Sequence, residues 1–154
     1  MNVNYVNPFI KSTIETFGTM LGESLKPGKP TAKKSPFPTY DVSGIIGLSG
    51  NAQGAISISF PKAVALKIAS KMLGSPVKVV GFEMADAIGE LVNIIAGRAK
   101  KDLIGYELSI SLPNVVMGTD HVLNSISNCP TIVVPFRLSL GDMTMEVSLT
   151  TKED

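Results

Sequence analysis

The segment 81–102, GFEMADAIGELVNIIAGRAKKD, places three polar side chains and a glycine at helical spacing. On a helix, Asp86, Glu90 and Asn93 fall on one face at i, i+4 and i+7, and Gly97 extends that row by one turn. An interior glycine costs about 1 kcal/mol relative to alanine, and a mid-helix asparagine competes with the backbone for hydrogen bonds. A row that is polar, locally unfavourable and bare at one end is typical of a docking face.

The opposite face of the same helix is apolar, as expected of an amphipathic core helix. Acidic residues near its start, Glu83 and Asp86, and basic residues near its end complement the helix dipole and need no further explanation. Glu90 lies mid-helix, where it is either a solvated side chain or part of the docking face. The residues predicted to face the core are Ala87, Ile88, Leu91, Val92, Ile95 and Ala99.

Composition excludes several classes of function. The 154 residues are 44% hydrophobic and 18% charged, and the net charge is only +1, which argues against nucleic acid or an anionic membrane as a partner. The chain has a single cysteine, Cys129, which excludes an intramolecular disulfide, and a single histidine, His121. Two such residues are too few for a zinc site built from His and Cys ligands. We predict no metal site, no signal peptide, no membrane span and a cytoplasmic location.

Hydrophobic periodicity predicts alternating helices and hairpins. The stretch 26–38 holds four lysines and four prolines without periodicity, so we expect a solvated connection there, and 114–128 is ambiguous. Gly141-Asp142 is expected to form the tight turn of the last hairpin. The predicted elements are a helix over 6–24 that starts at Asn7-Pro8, a hairpin over 39–60, a helix over 63–73, a strand over 107–112 and a hairpin over 131–149.

A long helix followed by a hairpin therefore occurs in each half of the chain. This order predicts one α+β domain over 1–154, built from two pseudo-repeats at about 1–75 and 76–154. Tight turns between strands predict a mostly antiparallel sheet, covered by the long helices.

The run Asp86-x3-Glu90-x2-Asn93, followed by Gly97, resembles the signature helix of the CheC/CheX/FliY family of chemotaxis phosphatases. The family signature continues to a proline, for which Pro113 is the matching candidate. The order of elements along most of the chain is similar to the CheC-like fold, and the length and single signature are most like CheX. In the first helix Glu15-x2-Gly18 stands where CheC carries a second signature, so the first half resembles an inactive repeat.

The resemblance implies hydrolysis of the aspartyl phosphate on a CheY-type response regulator. It implies that Asn93 orients the attacking water, that Glu90 pairs with a lysine of the regulator, and that Asp86 and Gly97 belong to the docking face. It also implies no cofactor in this chain, since the Mg²⁺ belongs to the regulator, and a homodimer formed through strand edges. Two alternatives stay open: a non-catalytic module that binds a response regulator or a flagellar switch component, and a structural dimeric domain.

Overall fold

The computed structural model describes residues 3–36, 38–103, 105–118 and 130–151, so His121 and Cys129 lie outside the described residues. Three α-helices, one π-helical turn and eight strands form within those ranges. In chain order they are α1 (Val3–Thr16), the π-helical turn (Phe17–Leu21), β1 (Lys26–Pro27), β2 (Thr31–Ala32), β3 (Val42–Gly50), β4 (Ala52–Phe60), α2 (Lys62–Leu73), α3 (Phe82–Asp102), β5 (Leu108–Ile110), β6 (Asn114–Met117), β7 (Ile132–Leu138) and β8 (Gly141–Thr151).

The eight strands form one sheet in the order β1-β7-β8-β4-β3-β5, with β2 also on β7 and β6 also on β3. Every pairing among the described strands is antiparallel. The predicted α+β class with a mostly antiparallel sheet is confirmed, as are both hairpins. The arrangement of the halves as two repeats stays a prediction.

All three helices pack on the same face of this sheet. The hydroxyl of Thr13 in α1 lies 3.5 Å from the sulfur of Met145, and α2 and α3 each meet a glycine of the sheet. Alternation along the strands supplies the apolar layer beneath the helices, because every second residue faces them. The fully buried members of that layer in β4 and β8 are Ile56, Ile58, Phe60, Met143, Met145 and Val147.

The first helix begins earlier than its proline signal predicts. Pro8 lies inside α1 rather than at its first position, so the helix loses one backbone hydrogen bond there. The three apolar side chains Tyr5, Val6 and Phe9 are all buried and repeat at helical spacing. Burying each of them contributes about 1.5–3 kcal/mol, which outweighs the lost bond.

The turn of the last hairpin also differs from the prediction. It is formed by Ser139 and Leu140, and Gly141 already belongs to β8, where it pairs with Leu138. Gly141 has φ +139°, and a Cβ there would lie 2.7 Å from Cγ2 of Val64 in α2. The glycine therefore serves the close approach of α2 to the sheet, a long-range reason that turn statistics do not include.

The connection at 26–38, which was predicted to be a solvated loop, contains two short strands. Its strands β1 and β2 are exposed but pair with β7, and backbone bonds such as Gly28 N–H to the Pro135 carbonyl, 2.7 Å, extend the pairing. Lys33 also reaches the opposite sheet face, where its ammonium lies 2.6 Å from the buried carboxylate of Glu146. An otherwise open edge of β7 is thereby covered, which removes unpaired backbone groups.

Candidate docking face on the long helix

The predicted two faces of α3 are confirmed. Asp86 and Glu90 are exposed, and Asn93 and Gly97 are half-buried along the same row. We call these four residues the polar stripe. The six residues predicted to face the core, Ala87, Ile88, Leu91, Val92, Ile95 and Ala99, are all at most 4% exposed.

The side chains of Glu90 and Asn93 have no bonding role in the described part of the fold. Among the described residues, neither makes a hydrogen bond or an ion pair. A carboxylate and a carboxamide can together accept and donate several hydrogen bonds. These two groups therefore face outward with their bonding capacity available to another molecule.

The backbone beneath the stripe is held closely by the rest of the fold. On β3, Gly44 lets the helix approach, because a Cβ at that position would lie 2.6 Å from Cγ2 of Val92 and 3.3 Å from Cγ2 of Ile88. From the other side, the buried hydroxyl of Ser12 in α1 donates to the carbonyl of Ile95 at 2.6 Å. Functional side chains on a helix fixed in this way are positioned more accurately than side chains on a loop.

Pro113 lies against the helix, although it follows Asn93 by 20 positions in the sequence. Its Cγ is 3.5 Å from where a Cβ on Gly89 would be, so helix and proline are in van der Waals contact. Two hydrogen bonds join Ser111, two residues before Pro113, to Gly47 of β3. Gly47 N–H donates to the Ser111 hydroxyl at 2.9 Å, and Ser111 N–H donates to the Gly47 carbonyl at 2.9 Å.

The two interior glycines of α3 have different surroundings. Gly89 is buried and faces Pro113 and Val115, whose nearest atoms would lie 3.5 and 3.6 Å from an added Cβ, an ordinary contact distance. At Gly97 an added Cβ would meet nothing within 4 Å. Packing among the described residues therefore gives no reason for a glycine at position 97.

The charges at the ends of α3 have structural roles. Glu83 lies in the first turn and Lys100 and Lys101 in the last, where each sign complements the helix dipole. Arg98 donates to the hydroxyl of Thr19 at 3.3 Å and so joins α3 to the π-helical turn. The dipole interpretation of these terminal charges is consistent with this arrangement.

The stripe lies apart from two open pockets of the described structure. Two open pockets of about 370 and 360 Å³ lie along β7, and no stripe residue lines either of them. The described residues contain no group of three or more His, Cys, Asp or Glu side chains that could hold a metal ion. None of the helices in the described ranges has the length and apolar character needed to cross a membrane.

Sequence reasoning missed one residue of this face. Phe82, the first residue of α3, is 84% exposed, although phenylalanine is commonly buried. The signal was available, because Phe82 precedes Asp86 by four positions and so lies on the polar face of the helix.

An antiparallel sheet with helices on one face and an Asp-x3-Glu-x2-Asn row on its long helix defines a class, that of the CheC-like proteins. The solved CheC-like superfamily protein of Shewanella sp. PV-4 superposes with a TM-score of 0.87 and 37% identity, over 97% of this chain and 99% of that one. A family model described as chemotaxis phosphatase CheX matches residues 42–137, a range that contains both the polar stripe and Pro113.

Two further relatives agree with this match. CheY-P phosphatase CheX of Thermotoga maritima is 34% identical over 128 residues, which are 81% of this chain and 83% of that protein. CheX of Borrelia burgdorferi, solved as a complex with CheY, BeF₃ and Mg²⁺, superposes with a TM-score of 0.82 and 26% identity over 96% of this chain and 99% of that one. The chain belongs to the CheX family of chemotaxis phosphatases, which confirms the resemblance seen in its sequence.

Proposed function

We propose that this protein hydrolyses the aspartyl phosphate of a CheY-type response regulator in chemotaxis signalling. The name of the Thermotoga maritima relative, CheY-P phosphatase, and the Borrelia burgdorferi complex of CheX with CheY support this proposal. The observation that carries it is the pair Glu90 and Asn93 on a firmly held helix: Glu90 is exposed, Asn93 is half-buried, and neither side chain has a bonding partner among the described residues.

A helix with a polar outer face suits this reaction. The phosphoryl group sits in the regulator's own active site, so the phosphatase must insert groups there instead of enclosing a substrate. Phosphoryl transfer passes through a loose transition state in most analyses, and positioning with electrostatic stabilisation supplies most of the catalysis. A rigid helix that presents a carboxamide can provide such positioning.

Asn93 is assigned to the attacking water. Its carboxamide accepts one hydrogen bond from the water and donates another, and it brings no charge towards the phosphoryl group. The water oxygen attacks phosphorus, the bond from phosphorus to the aspartyl oxygen breaks, and free carboxylate and inorganic phosphate result. A carboxylate at position 93 would repel the phosphoryl oxygens.

The other stripe residues are assigned to docking. Glu90 pairs with a lysine of the regulator, Asp86 supports the contact, and Gly97 leaves room for the partner's backbone. The Mg²⁺ that neutralises phosphoryl charge is supplied by the regulator, so this chain needs no cofactor of its own. As further parts of the proposal, the protein acts in the cytoplasm and forms a homodimer through strand edges, which sedimentation at several concentrations tests.

Phosphate loss from a panel of phosphorylated response regulators tests the function. Wild type should accelerate the decay of at least one regulator, Asn93→Ala should abolish most of that acceleration, and Glu90→Ala should weaken it. Equal acceleration by wild type and Asn93→Ala would overturn the mechanism. Binding to a regulator without any acceleration would identify a non-catalytic module instead.

A further inference from the structure

Large apolar side chains are unusually exposed on α3 and on the segments next to it. Among the described residues, the three most exposed large hydrophobic side chains are Leu112 at 86%, Phe82 at 84% and Val79 at 76%. All three lie on α3 or on segments beside it, and we call them the apolar rim. Single exposed apolar residues are ordinary, but several of them on one helix and on the segments next to it favour an interaction site.

Phe82 is in line with the stripe. It precedes Asp86 by four positions, Gly89 by seven and Asn93 by eleven, and each of these separations returns to the same side of a helix. With a rise of 1.5 Å per residue, Phe82 and Gly89 are about 10 Å apart along the axis. Val79 lies three residues before Phe82, on the segment that leads into α3.

Leu112 reaches the same region from the sheet. It lies between Ser111, whose backbone and hydroxyl both bond to Gly47, and Pro113, whose ring contacts the helix at Gly89. The Ser111 hydroxyl also donates to the Leu112 carbonyl at 2.9 Å. The backbone of Leu112 is therefore fixed, and its side chain is presented to solvent on a fixed support.

We propose that the apolar rim binds apolar side chains that border the phosphorylation site of the response regulator. This inference rests on the proposed function, because it extends the same contact from the polar stripe to its margin. The stripe alone offers carboxylates and a carboxamide, whose desolvation offsets much of what their bonds gain. Stable interfaces depend on a few buried anchors, among which aromatic side chains are prominent, and Phe82 is the aromatic beside the stripe.

The rim separates binding from chemistry, and this separation makes it testable. Phe82 and Leu112 do not reach the attacking water assigned to Asn93, so removing either should weaken the complex and leave the bound complex reactive. Phe82→Ser and Leu112→Ser are each expected to raise KM for the phosphorylated regulator about tenfold at unchanged kcat. Leu73→Ser is the matched control, because Leu73 is 48% exposed on α2 and should leave both constants unchanged.

The outcomes distinguish the rim from the proposed function. If wild type hydrolyses the phosphate and Phe82→Ser and Leu112→Ser keep its KM, the rim is overturned and the function stands. A loss of kcat at unchanged KM would also overturn the rim. If wild type does not hydrolyse the phosphate, the proposed function fails. The rim is then tested alone by binding to a BeF₃-loaded regulator: weaker binding of Phe82→Ser and Leu112→Ser than of wild type supports the rim, and equal binding overturns it. A change of sedimenting mass in Phe82→Ser would overturn the proposal by showing that a second copy covers the rim.

Discussion

The two long helices of this protein use their polar side chains in opposite ways. In α1, Ser12 and Thr13 are buried and bonded, the first to the Ile95 carbonyl at 2.6 Å and the second to the Phe9 carbonyl at 2.7 Å. In α3, Glu90 and Asn93 lie towards solvent without a partner among the described residues. Ser12 and Thr13 therefore hold the fold together, whereas Glu90 and Asn93 stay available to another molecule.

The same difference is visible where α1 offers a partial copy of the signature. Glu15 is exposed but lies 4.0 Å from Lys11, and the position three residues later is Gly18 instead of an asparagine. Gly18 also falls in the π-helical turn, whose residue spacing differs from that of an α-helix. The pattern of α1 therefore lacks both the carboxamide and the helical geometry that align the row in α3.

The largest difference in activity between the two helices is expected when Glu90 of α3 and Glu15 of α1 are each replaced by alanine. Glu90→Ala should lower kcat/KM for the phosphorylated regulator about thirtyfold, because a lysine of the partner loses its charge partner, at about 2 kcal/mol. Glu15→Ala should change kcat/KM less than twofold, since an exposed ion pair contributes little. Steady-state phosphate release measures both. Equal losses in the two variants would contradict the division between the helices.

The close packing of α3 on β3 at Gly44 is the next feature to test. Gly44→Ala should lower the free energy of unfolding by about 1–3 kcal/mol, because the added methyl group collides with Val92 and pushes α3 away from β3. Chemical denaturation measures this change. An unchanged midpoint would show that α3 does not depend on this close approach.

A buried carboxylate beside α1 gives a pH-dependent effect of intermediate size. A hydrogen bond from Lys71, followed by one from Ser139, holds the pKa of Glu23 below its usual value of 4.5. A lowered folded-state pKa means that the stabilisation is present above pH 4.5 and is lost as the pH falls through the folded-state pKa. Unfolding of Glu23→Gln against wild type measures this dependence.

Glu23→Gln should therefore be less stable than wild type at pH 7, and the difference should shrink below pH 4.5. Phosphatase kcat at pH 7 should stay unchanged, because Glu23 belongs to the supporting part of the fold. A stability difference that is constant across this range would contradict the assigned ionisation.

The smallest effect concerns Gly97. Gly97→Ala should raise the stability of the free protein by up to about 1 kcal/mol, because alanine is the better helix former and the site has open space. The same variant should raise KM for the regulator if Gly97 leaves room for a partner's backbone. Thermal unfolding and steady-state kinetics on one preparation measure both. A gain in stability at unchanged KM would remove Gly97 from the docking face.

Much of the fold could be predicted because its signals are local. The alternation in β4 and β8 and the helical row in α3 each predict which side of an element carries the apolar layer, and the structure confirms those sides. The alternation also predicts a solvated polar side for the two strands, which is wrong, because Ser59 and Glu146 on that side are buried too.

The predictions at Pro8, Gly141 and Lys33 differ from the structure for a common reason. Each residue is governed by packing that its local sequence pattern does not contain. The burial of Tyr5 and its neighbours places Pro8 inside a helix, Gly141 allows the approach of α2, and Lys33 pairs with the buried Glu146.

The polar stripe was easier to predict from the sequence than the contact of α3 with Pro113. The spacing from Asp86 to Asn93 fixes a shared face as soon as the segment is a helix, and the structure shows that face exposed. The neighbourhood of Pro113 required the tertiary fold, because its contact with Gly89 depends on β6 and the bonds of Ser111. The catalytic and docking roles of the stripe residues stay predictions.

The most direct test of the account replaces the carboxamide by its near-isosteric carboxylate. Asn93→Asp keeps the shape of the side chain but adds a negative charge towards the phosphoryl group, and the half-exposed position should tolerate it without loss of folding. Single-turnover dephosphorylation of the regulator, with the phosphatase in saturating excess, should slow by about a hundredfold or more. An Asn93→Asp protein that hydrolyses the phosphate at the wild-type rate would contradict the account.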